Sequence, residues 1–317
     1  MKIVIAGGTG QVGRILERSL EKLGHTVRVL SRSPKGANQV CWDGRTLGAW
    51  TAEIDGSDAV INLAGRIVDC RYHKNNLAQM LFSRVDSARA IGEAIAMAKS
   101  PPKVWLQMST ATQYAHRYDA PNDEFTGIQG GNEPGVPEYW RLSVNIAHEW
   151  ERMLREADTP HTRKIALRTT YTLSPDPGGI FDWLFSLVRW GWGGNWGEGT
   201  QRISWIHETD FVAAILFLLE RSDLDGAFNL ASPDPIPQRE FTRTLQEVSG
   251  TRLALSAAPW MLEVGAWLLN TDAELIVKSR YVVPTRLLKE GFVFQYPTWK
   301  SAAEELVARW NTTHRQE

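Results

Sequence analysis

Glycines at intervals of three residues, Gly7, Gly10 and Gly13, stand near the start of the chain. The apolar residues 3–6 come directly before them, and isoleucines and leucines at helical spacing follow as far as Gly24. This order predicts a buried strand, a tight turn and a helix. Bare backbone at such a turn, together with the N–H groups of the helix start, can hold a phosphate group. The turn predicted to do this comprises Gly7, Gly8, Thr9, Gly10, Gln11, Val12 and Gly13.

Each of the three glycines has its own physical reason to lack a side chain. Gly7 permits the sharp turn, Gly10 lets a ligand approach the backbone, and Gly13 lets the helix pack on the strand. Residues 25–31 read as a second strand, which completes a strand-helix-strand unit of about thirty residues. This context favours a dinucleotide site over the alternative, a glycine-rich turn that binds nothing.

The residues that end the second strand, Ser31 and Arg32, bear on which dinucleotide would bind. A carboxylate at this place would accept a hydrogen bond from the ribose 2′-hydroxyl of NAD, whereas an arginine can pair with the 2′-phosphate of NADP. We therefore predict NADP(H) as the cofactor; the alternative is an exposed loop arginine. Asp43, near a third strand, is predicted either to accept from the adenine amine or to stabilise its own turn.

Two further predicted strands end in residues that suit a site. Residues 58–65, DAVINLAG, end in Leu63 and the small residues Ala64 and Gly65, which leave room for a cofactor at the carboxyl edge of a sheet. Residues 104–108 are followed by a cluster of hydroxyl-bearing residues and then by Tyr114. Hydroxyls at this edge can carry out chemistry, or they can cap the backbone of their own loop. The residue types leave both interpretations open.

Strands and helices alternate along the first half of the chain. Helices are predicted over 77–98 and 140–157, and strands over 104–108 and 164–169. The alternation predicts an α/β fold, a Rossmann-type doubly wound parallel sheet. Residues 117–135 are rich in Gly, Pro, Asn and Asp, and they are predicted to form a mobile loop that closes over the site.

The pattern changes at residues 174–179, SPDPGG. Helices are predicted beyond this point over 180–190, 211–220, 238–249, 258–269 and 273–281, with a short strand over 228–231. Thr209 or Asp210 is the predicted N-cap of the helix over 211–220. We predict an NADP-binding domain over 1–173 and a smaller substrate-binding lobe over 174–317, with segments near 207–231 returning to the sheet.

Charge and cysteine content exclude several kinds of function. A net charge of −1 gives no electrostatic case for binding nucleic acid or an anionic membrane. The two cysteines, Cys41 and Cys70, provide neither a disulfide framework nor a cysteine-rich metal site. The longest later apolar run, 211–219, is too short to span a bilayer. These features predict a cytoplasmic protein without a metal that acts on a small molecule.

Tryptophan is unusually frequent, with 14 residues in the chain. One segment of the second half is especially rich in it. Its tryptophans could wall a pocket for a flat or apolar substrate, or they could fill the core of the smaller lobe. They are Trp183, Trp190, Trp192, Trp196 and Trp205.

Seven stretches of the chain resemble the extended and atypical branch of the short-chain dehydrogenase/reductase superfamily, and within it the epimerase-like subgroup. They are GGTGQVG at 7–13, LSRSP at 30–34, DAVINLAG at 58–65, SRV at 83–85, GWGGNWGEGTQRISWIH at 191–207, FNLASPDPIPQREFTR at 228–243 and LLKEGFVFQYPT at 287–298. The stretches lie between residues 7 and 298, so the resemblance extends along nearly the whole chain. The resemblance implies an NADP-binding Rossmann domain and a small C-terminal domain that hold a substrate between them.

In active members of this superfamily a serine or threonine polarises the substrate carbonyl, while a tyrosine with a lysine four residues on shuttles the proton. Thr110 falls on the serine or threonine position. In the helix over 140–157, Leu142 or Ser143 stands at the tyrosine position and Ile146 or Ala147 at the lysine position. This chain therefore departs from the family pattern at the proton donor.

The resemblance leaves other residues to fill the missing roles. Tyr114 or His207 is the predicted substitute for the proton donor, although His207 is also explained as a loop histidine with satisfied hydrogen bonds. Arg84 and Arg168 are predicted beside the cofactor, where they could orient an anionic substrate.

Two functions remain open from the sequence. The first is an NADP(H)-dependent oxidoreductase or epimerase-like enzyme with a nonstandard proton donor. The second is an NADP(H)-binding sensor or interaction protein with little or no turnover. A homodimer paired through the helices over 77–98 and 140–157 is also predicted, since many relatives of this fold pair through helices.

Overall fold

A seven-stranded sheet in which every strand runs parallel to its neighbours forms the centre of the computed structural model, which describes residues 1–258, 260–261 and 274–314. Its strand order is β10-β6-β5-β4-β1-β2-β3. These strands are β1 (Lys2–Ala6), β2 (Thr26–Ser31), β3 (Gln39–Cys41), β4 (Ala59–Asn62), β5 (Val104–Thr110), β6 (Arg163–Thr169) and β10 (Gly226–Leu230). The α/β class and the doubly wound parallel sheet predicted from the sequence are confirmed.

Helices cover both faces of this sheet, and its strands are therefore buried on both sides. Ile3 and Ile5 of β1 face a core shared with two helices, whereas Val4 and Ala6 face a core shared with two others. The first pair is α1 (Gln11–Lys22) and α6 (Glu208–Glu220). The second pair is α3 (Lys74–Met97) and α4 (Glu138–Glu156). A short helix, α2 (Thr51–Ile54), packs beside α3.

The strand order places a switch point between β1 and β4. From β1 the chain builds outward through β2 to β3, and it then returns to the other side of β1 and continues outward from β4. Loops leaving the carboxyl ends of β1 and β4 therefore go to opposite faces of the sheet. The crevice between such loops is where open parallel sheets bind ligands.

A second hydrophobic core lies in the part of the chain after β6. It includes Phe185 of α5 (Ile180–Arg189), Phe241 of α7 (Gln238–Ser249) and Trp299 of α10 (Trp299–Thr313). The rings of Phe241 and Trp299 stack with their centroids 4.1 Å apart. Two short strand pairs border it: β7 (Tyr171–Leu173) with β9 (Trp205–His207), and β8 (Arg202–Ile203) with β11 (Ile236–Pro237).

The tryptophan-rich segment divides between core and surface. Trp196 and Trp205 are buried in the second core, in agreement with the core interpretation. Trp183 is partly buried against the same core. Trp190 and Trp192 are exposed. The five residues therefore do not line one common pocket.

Several predicted boundaries differ from those observed. β5 runs on through Thr110 instead of ending at Met108. The N-cap of α6 is His207, because its Nδ1 accepts the Thr209 N–H, so the prediction of Thr209 or Asp210 as cap was wrong. Asp210 instead accepts the N–H groups of Gln295 and Tyr296.

The chain after residue 258 is described only in part. Most of the helix predicted over 258–269 lies outside the described residues. Within 273–281, a shorter helix, α8 (Glu274–Val277), is observed, and α9 (Thr285–Lys289) follows it. Among the described residues, no helix combines the length and the apolar character needed to cross a bilayer.

Candidate functional site

The glycine turn after β1 has the geometry that its sequence predicts. Gly7 adopts a φ of +75°, and a Cβ on this residue would lie 2.7 Å from the Cα of Ala64. A side chain on Gly13 would overlap the carbonyl group of Gly8. Gly7 is therefore required by the turn and by its close neighbour, and Gly13 by the packing of α1 on the turn.

Gly10 differs from the other two glycines because its surroundings are open. No described protein atom would lie within 4 Å of a Cβ at this position. Gly10 is also the N-cap of α1 and provides no side-chain hydrogen bond to the helix start. A helix start without a cap keeps N–H donors that a phosphate group can satisfy. The turn thus presents bare backbone toward a free space.

The end of β4 lies beside the glycine turn. The Leu63 N–H donates to the Ala6 carbonyl at 2.8 Å, and the Ala64 N–H donates to Oδ1 of Asn62 at 3.0 Å. The carboxyl ends of β1 and β4 are held side by side as a result. Gly65 then passes so close to Arg84 that a Cβ would lie 3.1 Å from the Cζ of the guanidinium.

Arg84 is a mostly buried cation between this turn and α4. Its guanidinium lies 4.9 Å from the centroid of the Trp150 ring and donates to the Met80 carbonyl at 3.1 Å. No carboxylate of the described residues pairs with it. Burial lowers the pKa of Arg84 to about 10, so the group is still charged at neutral pH. A bound anion at this place would stabilise the buried charge.

Ser31, the last residue of β2, and Arg32, which follows it, differ in their contacts. Arg32 is exposed and has no hydrogen bond or ion pair with the described residues, so its guanidinium can reach a ligand. The Ser31 hydroxyl accepts the Ser33 N–H at 3.2 Å.

Asp43, by contrast, points into its own turn. Its carboxylate accepts the N–H groups of Arg45 and Thr46 and the hydroxyl of Thr46. These bonds, the Thr46 hydroxyl first, lower the pKa of Asp43 to about 2. Asp43 therefore stabilises its own turn, which is one of the two roles predicted for it, and the contact with adenine stays a prediction.

Thr110 ends β5 at the same edge of the sheet, beside the short 3-10 helix Ala111–Gln113. Its Oγ1 accepts the Thr112 N–H at 3.1 Å, so the hydroxyl does cap its own backbone. The hydroxyl proton has no acceptor among the described residues. Because the residue is only partly buried, this proton can be donated to a ligand as well.

Behind Thr110 lies a buried polar network centred on Glu151 of α4. Its carboxylate accepts the Ser109 hydroxyl at 2.6 Å, the Gln113 amide at 2.8 Å and two N–H groups of Arg168 at 3.0 Å each. Burial alone would raise the pKa of Glu151, but Arg168, Ser109 and Gln113 together hold it below its usual range. The network fixes the end of β5 to α4 and β6.

Tyr114 and Arg168, both predicted to lie in the site, belong to this network. A third N–H group of Arg168 donates to the Tyr114 hydroxyl at 2.8 Å, and that hydroxyl donates to Oδ1 of Asn229 at 3.0 Å. Arg168 thus has partners inside the protein, and its contact with a cofactor stays a prediction. Tyr114 is buried, and burial raises its pKa, so it is a poorer acid than an exposed tyrosine.

His207 is also unsuited to the predicted role of proton donor. It is completely buried at the border of the second core. Its Nδ1 accepts the Thr209 N–H at 3.1 Å, which leaves the ring proton on Nε2, and Nε2 lies 2.8 Å from Oε2 of Glu305. The ring packs against Tyr296 at a centroid distance of 4.0 Å. Both nitrogens are used to stabilise the fold.

The structure bears on the two alignments proposed for α4. Leu142 is exposed, whereas Ser143 is buried and its hydroxyl lies 2.9 Å from Oε1 of Glu274. Ile146 and Ala147 are both buried. Burial therefore favours Ser143 over Leu142 at the tyrosine position and does not separate Ile146 from Ala147 at the lysine position. The departure from the family pattern at these positions stays a prediction.

Two residues that the sequence did not single out fill the space beside Ser143. Oε1 of Glu274 lies 2.9 Å from the Ser143 hydroxyl and 3.4 Å from Nζ of Lys278. The Lys278 ammonium donates to the Thr112 carbonyl at 2.8 Å. The only signal in the sequence was the spacing of four between a glutamate and a lysine, which is usual on exposed helix faces.

A surface depression of about 1160 Å³ lies elsewhere and is lined mostly by residues at the amino ends of the strands. Asp58, Lys103 and Arg163 are examples. Because open parallel sheets bind ligands at the carboxyl edge, this depression is distinct from the site formed by the glycine turn and Thr110.

The fold and the glycine turn define an α/β protein of the dinucleotide-binding class. Residues 3–135 match the model of the NAD dependent epimerase/dehydratase family, and residues 259–306 match a domain of unknown function, DUF1731. The epimerase family protein SDR39U1 of Bos taurus is 30% identical over 97% of this chain and 100% of its own length. A Staphylococcus epidermidis epimerase family protein is 27% identical over 96% of this chain. The chain belongs to this epimerase family.

Solved structures agree with the fold. The human epimerase family protein SDR39U1, crystallised with NADPH, superposes on this chain with a TM-score of 0.84 at 26% sequence identity. The superposition covers 97% of this chain and 99% of the human chain. A nucleoside-diphosphate sugar epimerase from Corynebacterium glutamicum gives a TM-score of 0.74 at 23% identity, covering 99% of this chain and 61% of its own. The second likeness bears on the fold alone.

Proposed function

We propose that the protein is an NADP(H)-dependent oxidoreductase or epimerase-like enzyme that acts on a small carbonyl or hydroxyl substrate. The observation that carries the proposal is the bare backbone at Gly10, where a Cβ would have no described protein atom within 4 Å, at the start of α1 after the strand β1. The cofactor prediction agrees with the human relative, which was crystallised with NADPH. The residues present fit such a group, since a Cβ at Gly10 would enter the space that a pyrophosphate needs.

Residues on both sides of the glycine turn have separate parts in holding the cofactor. The turn residues Gly7 to Gly13 would receive the pyrophosphate, and Leu63, Ala64 and Gly65 would line the opposite wall. Arg32, beside Ser31, would pair with the 2′-phosphate, because its guanidinium is exposed and has no partner among the described residues. Arg84 would meet a further anionic group of the cofactor or of the substrate.

When bound, the nicotinamide would supply or accept a hydride. Thr110 would donate its free hydroxyl proton to the substrate oxygen and so polarise the carbonyl. The network of Ser109, Glu151 and Arg168 would hold Thr110 in place, since it fixes the last residues of β5 to α4 and β6. Rigid support of this kind keeps a catalytic hydroxyl within bonding distance of its substrate.

The cofactor part is tested by calorimetric titration with NADP⁺ and with NAD⁺. We expect NADP⁺ to bind more tightly, and Arg32→Ala to weaken NADP⁺ binding by about tenfold or more, equivalent to ~1.4 kcal/mol, with little effect on NAD⁺. Lys35→Ala, which removes another exposed cation of the same loop, is the matched control. Equal affinity of the wild type for both nucleotides would contradict the assignment of Arg32.

Catalysis is tested by following NADPH oxidation with a panel of small aldehydes, ketones and quinones. Thr110→Ala should lower turnover by about a hundredfold or more while NADP⁺ affinity stays the same, because the hydroxyl acts on the substrate alone. Thr110→Ser, which keeps the hydroxyl and the bond to the Thr112 N–H, should retain most of the turnover. Turnover that is unaffected by Thr110→Ala would rule out its proposed role.

A second function, an NADP(H)-binding sensor with little or no turnover, is supported by two features of the site. Ser143 stands where the family pattern has its tyrosine, and the hydroxyl of Tyr114 is held by Arg168 and Asn229. Tight NADP⁺ binding without turnover of any compound in the panel would favour this function over the enzyme.

We further propose a cytoplasmic protein that forms a homodimer through α3 and α4. Phe82 on α3 and Leu142 on α4 are exposed apolar residues that such pairing would bury. Sedimentation should show a dimer that Phe82→Glu converts to a monomer. A wild-type monomer at high concentration would exclude this assembly.

A further inference from the structure

The proposed reaction needs an acid beside Thr110, and the groups predicted for this role are used elsewhere. The Tyr114 hydroxyl already donates to Asn229, and the His207 Nε2 proton points to Glu305. His116 lies near the site, but its Nδ1 accepts the Ser279 N–H, and burial lowers its pKa. Its ring is therefore neutral at neutral pH and is a weak acid.

Lys278 is a titratable donor that contacts the short 3-10 helix Ala111–Gln113, which directly follows β5. Its ammonium donates to the carbonyl of Thr112, whose own N–H donates to Oγ1 of Thr110. Only 2% of Lys278 is exposed, yet just two of its three N–H groups have acceptors among the described residues, the Thr112 carbonyl and Glu274. The ammonium also lies 5.5 Å from the centroid of the Trp140 ring, and its third N–H group has no hydrogen-bond acceptor among the described residues.

Glu274 gives this lysine a neighbour that can return a proton. The Glu274 carboxyl is completely buried and lies within 3.4 Å of Nζ of Lys278. Burial raises the pKa of Glu274, against the opposing charges of Lys278 and Arg280. Burial lowers the pKa of Lys278, and so does Arg280, while Glu274 and Glu133 raise it. The two groups are brought closer in pKa, and proton exchange between them becomes easier.

We propose that Lys278 is the catalytic acid of the proposed reaction and that Glu274 is its proton relay. The pair, contributed by the segment around α8, takes the place of the missing tyrosine and lysine on α4. This inference rests on the proposed function, because it assumes a carbonyl oxygen that is held by Thr110. It extends that function by assigning the proton donor that the family pattern leaves without a residue.

The chemical step balances with the proposed cofactor. Lys278 would give a proton to the substrate oxygen, and the reduced nicotinamide, when bound, would supply a hydride to the carbonyl carbon. One N–H bond of Lys278 and one C–H bond of the cofactor would break as one O–H and one C–H bond form in the product, so the carbonyl would be reduced and the cofactor oxidised. The neutral amine of Lys278 then recovers a proton from water by way of the Glu274 carboxyl.

Two substitutions of Lys278 distinguish a residue that donates a proton from a cation that only stabilises the structure. Lys278→Met removes the charge and the proton, and Lys278→Arg keeps the charge but cannot give up a proton at neutral pH. We expect both to lower turnover by about a hundredfold or more, with NADP⁺ affinity by calorimetry changed less than about threefold. Lys300→Met, on an exposed lysine, is the control. Turnover that is restored by Lys278→Arg would overturn the proposal, since charge alone would then suffice.

A labelling experiment tests Lys278 without relying on turnover. The folded wild-type protein is treated with formaldehyde and cyanoborohydride at neutral pH, with and without saturating NADP⁺, and methylated lysines are identified by mass spectrometry. We expect Lys278 to be methylated, because a small carbonyl must reach its amine, and NADP⁺ to slow this methylation. Lys278 left unmodified under conditions that methylate Lys300 would overturn the proposal.

The two experiments also separate this inference from the proposed function. NADP⁺ binding without turnover in the wild type would defeat the proposed enzyme, whatever Lys278 does. Turnover that survives both Lys278 substitutions would leave the enzyme intact and defeat only the assignment of Lys278.

Discussion

The carboxyl ends of β1 and β5 lie at one edge of the same sheet but are built in opposite ways. At β1 the backbone is bare, Gly10 faces open space, and Arg32 has no partner within the described part of the chain. At β5 nearly every polar group is already used, through Glu151, Arg168 and Tyr114. A region with free backbone and side-chain donors can bind a ligand. A region whose polar groups are already hydrogen-bonded to one another holds those groups rigidly in place.

The largest expected effect is a loss of protein stability when the polar network at the end of β5 is disrupted. Glu151→Gln should lower the free energy of unfolding by about 3 kcal/mol at neutral pH, because it leaves the Arg168 guanidinium buried without its partner. The carboxylate has a lowered pKa in the folded state, so its contribution is present above the unfolded pKa and is lost as pH falls through the folded pKa.

Urea unfolding of the wild type and of Glu151→Gln between neutral and acid pH measures this effect. The difference between the two proteins should shrink below about pH 4, where the wild-type glutamate also becomes protonated. Glu149→Gln removes an exposed glutamate of the same helix and is the control. A difference that does not change with pH would show that Glu151 contributes by packing and not by charge.

An intermediate effect is expected within the glycine turn itself. Gly13→Ala should destabilise the protein by about 2 kcal/mol, since the added methyl group overlaps the Gly8 carbonyl. Gly10→Ala should change stability by less than about 0.5 kcal/mol and yet weaken NADP⁺ binding by about tenfold. Thermal unfolding and calorimetry on both variants make the comparison.

These two variants form a matched pair, because the same methyl group is added at both positions. A large loss of stability in Gly10→Ala would mean that the space beside it is needed by the protein itself. Unchanged NADP⁺ affinity in a folded Gly10→Ala protein would place the pyrophosphate elsewhere.

A smaller loss of stability than that of Gly13→Ala, and the smallest change in function, is expected for Tyr114→Phe. Removal of the hydroxyl leaves one N–H group of Arg168 and the side chain of Asn229 without this partner, which should cost about 1 kcal/mol. Turnover should fall less than about threefold, because the hydroxyl proton is already donated to Asn229. A loss of turnover comparable to that of Thr110→Ala would restore Tyr114 as a candidate acid.

The same contrast explains what could be predicted from the sequence. The glycine turn is local: a strand, seven turn residues and a helix within the first 24 positions determine its form. The alternation of strands and helices likewise follows from local apolar patterns, and it gave the parallel sheet. Such features are readable because neighbours along the chain are neighbours in space.

The region around Thr110 could not be read in this way because its partners are distant in sequence. Glu274 lies 131 residues from Ser143, and Lys278 lies 166 residues from Thr112. From the sequence, His207 was a candidate proton donor. In the structure its Nε2 is bonded to Glu305, which lies 98 residues away in the chain. Residue type alone cannot show whether a histidine or tyrosine faces a ligand or a buried partner, since this depends on how distant segments pack.

The edge strand β10 has a consequence for the order in which the chain can fold. It pairs with β6 only after the chain has passed through β7, α5, β8, β9 and α6. A nascent chain that has emerged only as far as α6 therefore has β6, which contains the apolar residues Ile165 and Leu167, as an open edge. Open parallel edges invite pairing with other chains. During synthesis, this stretch is where we expect chaperone binding and aggregation to compete with folding.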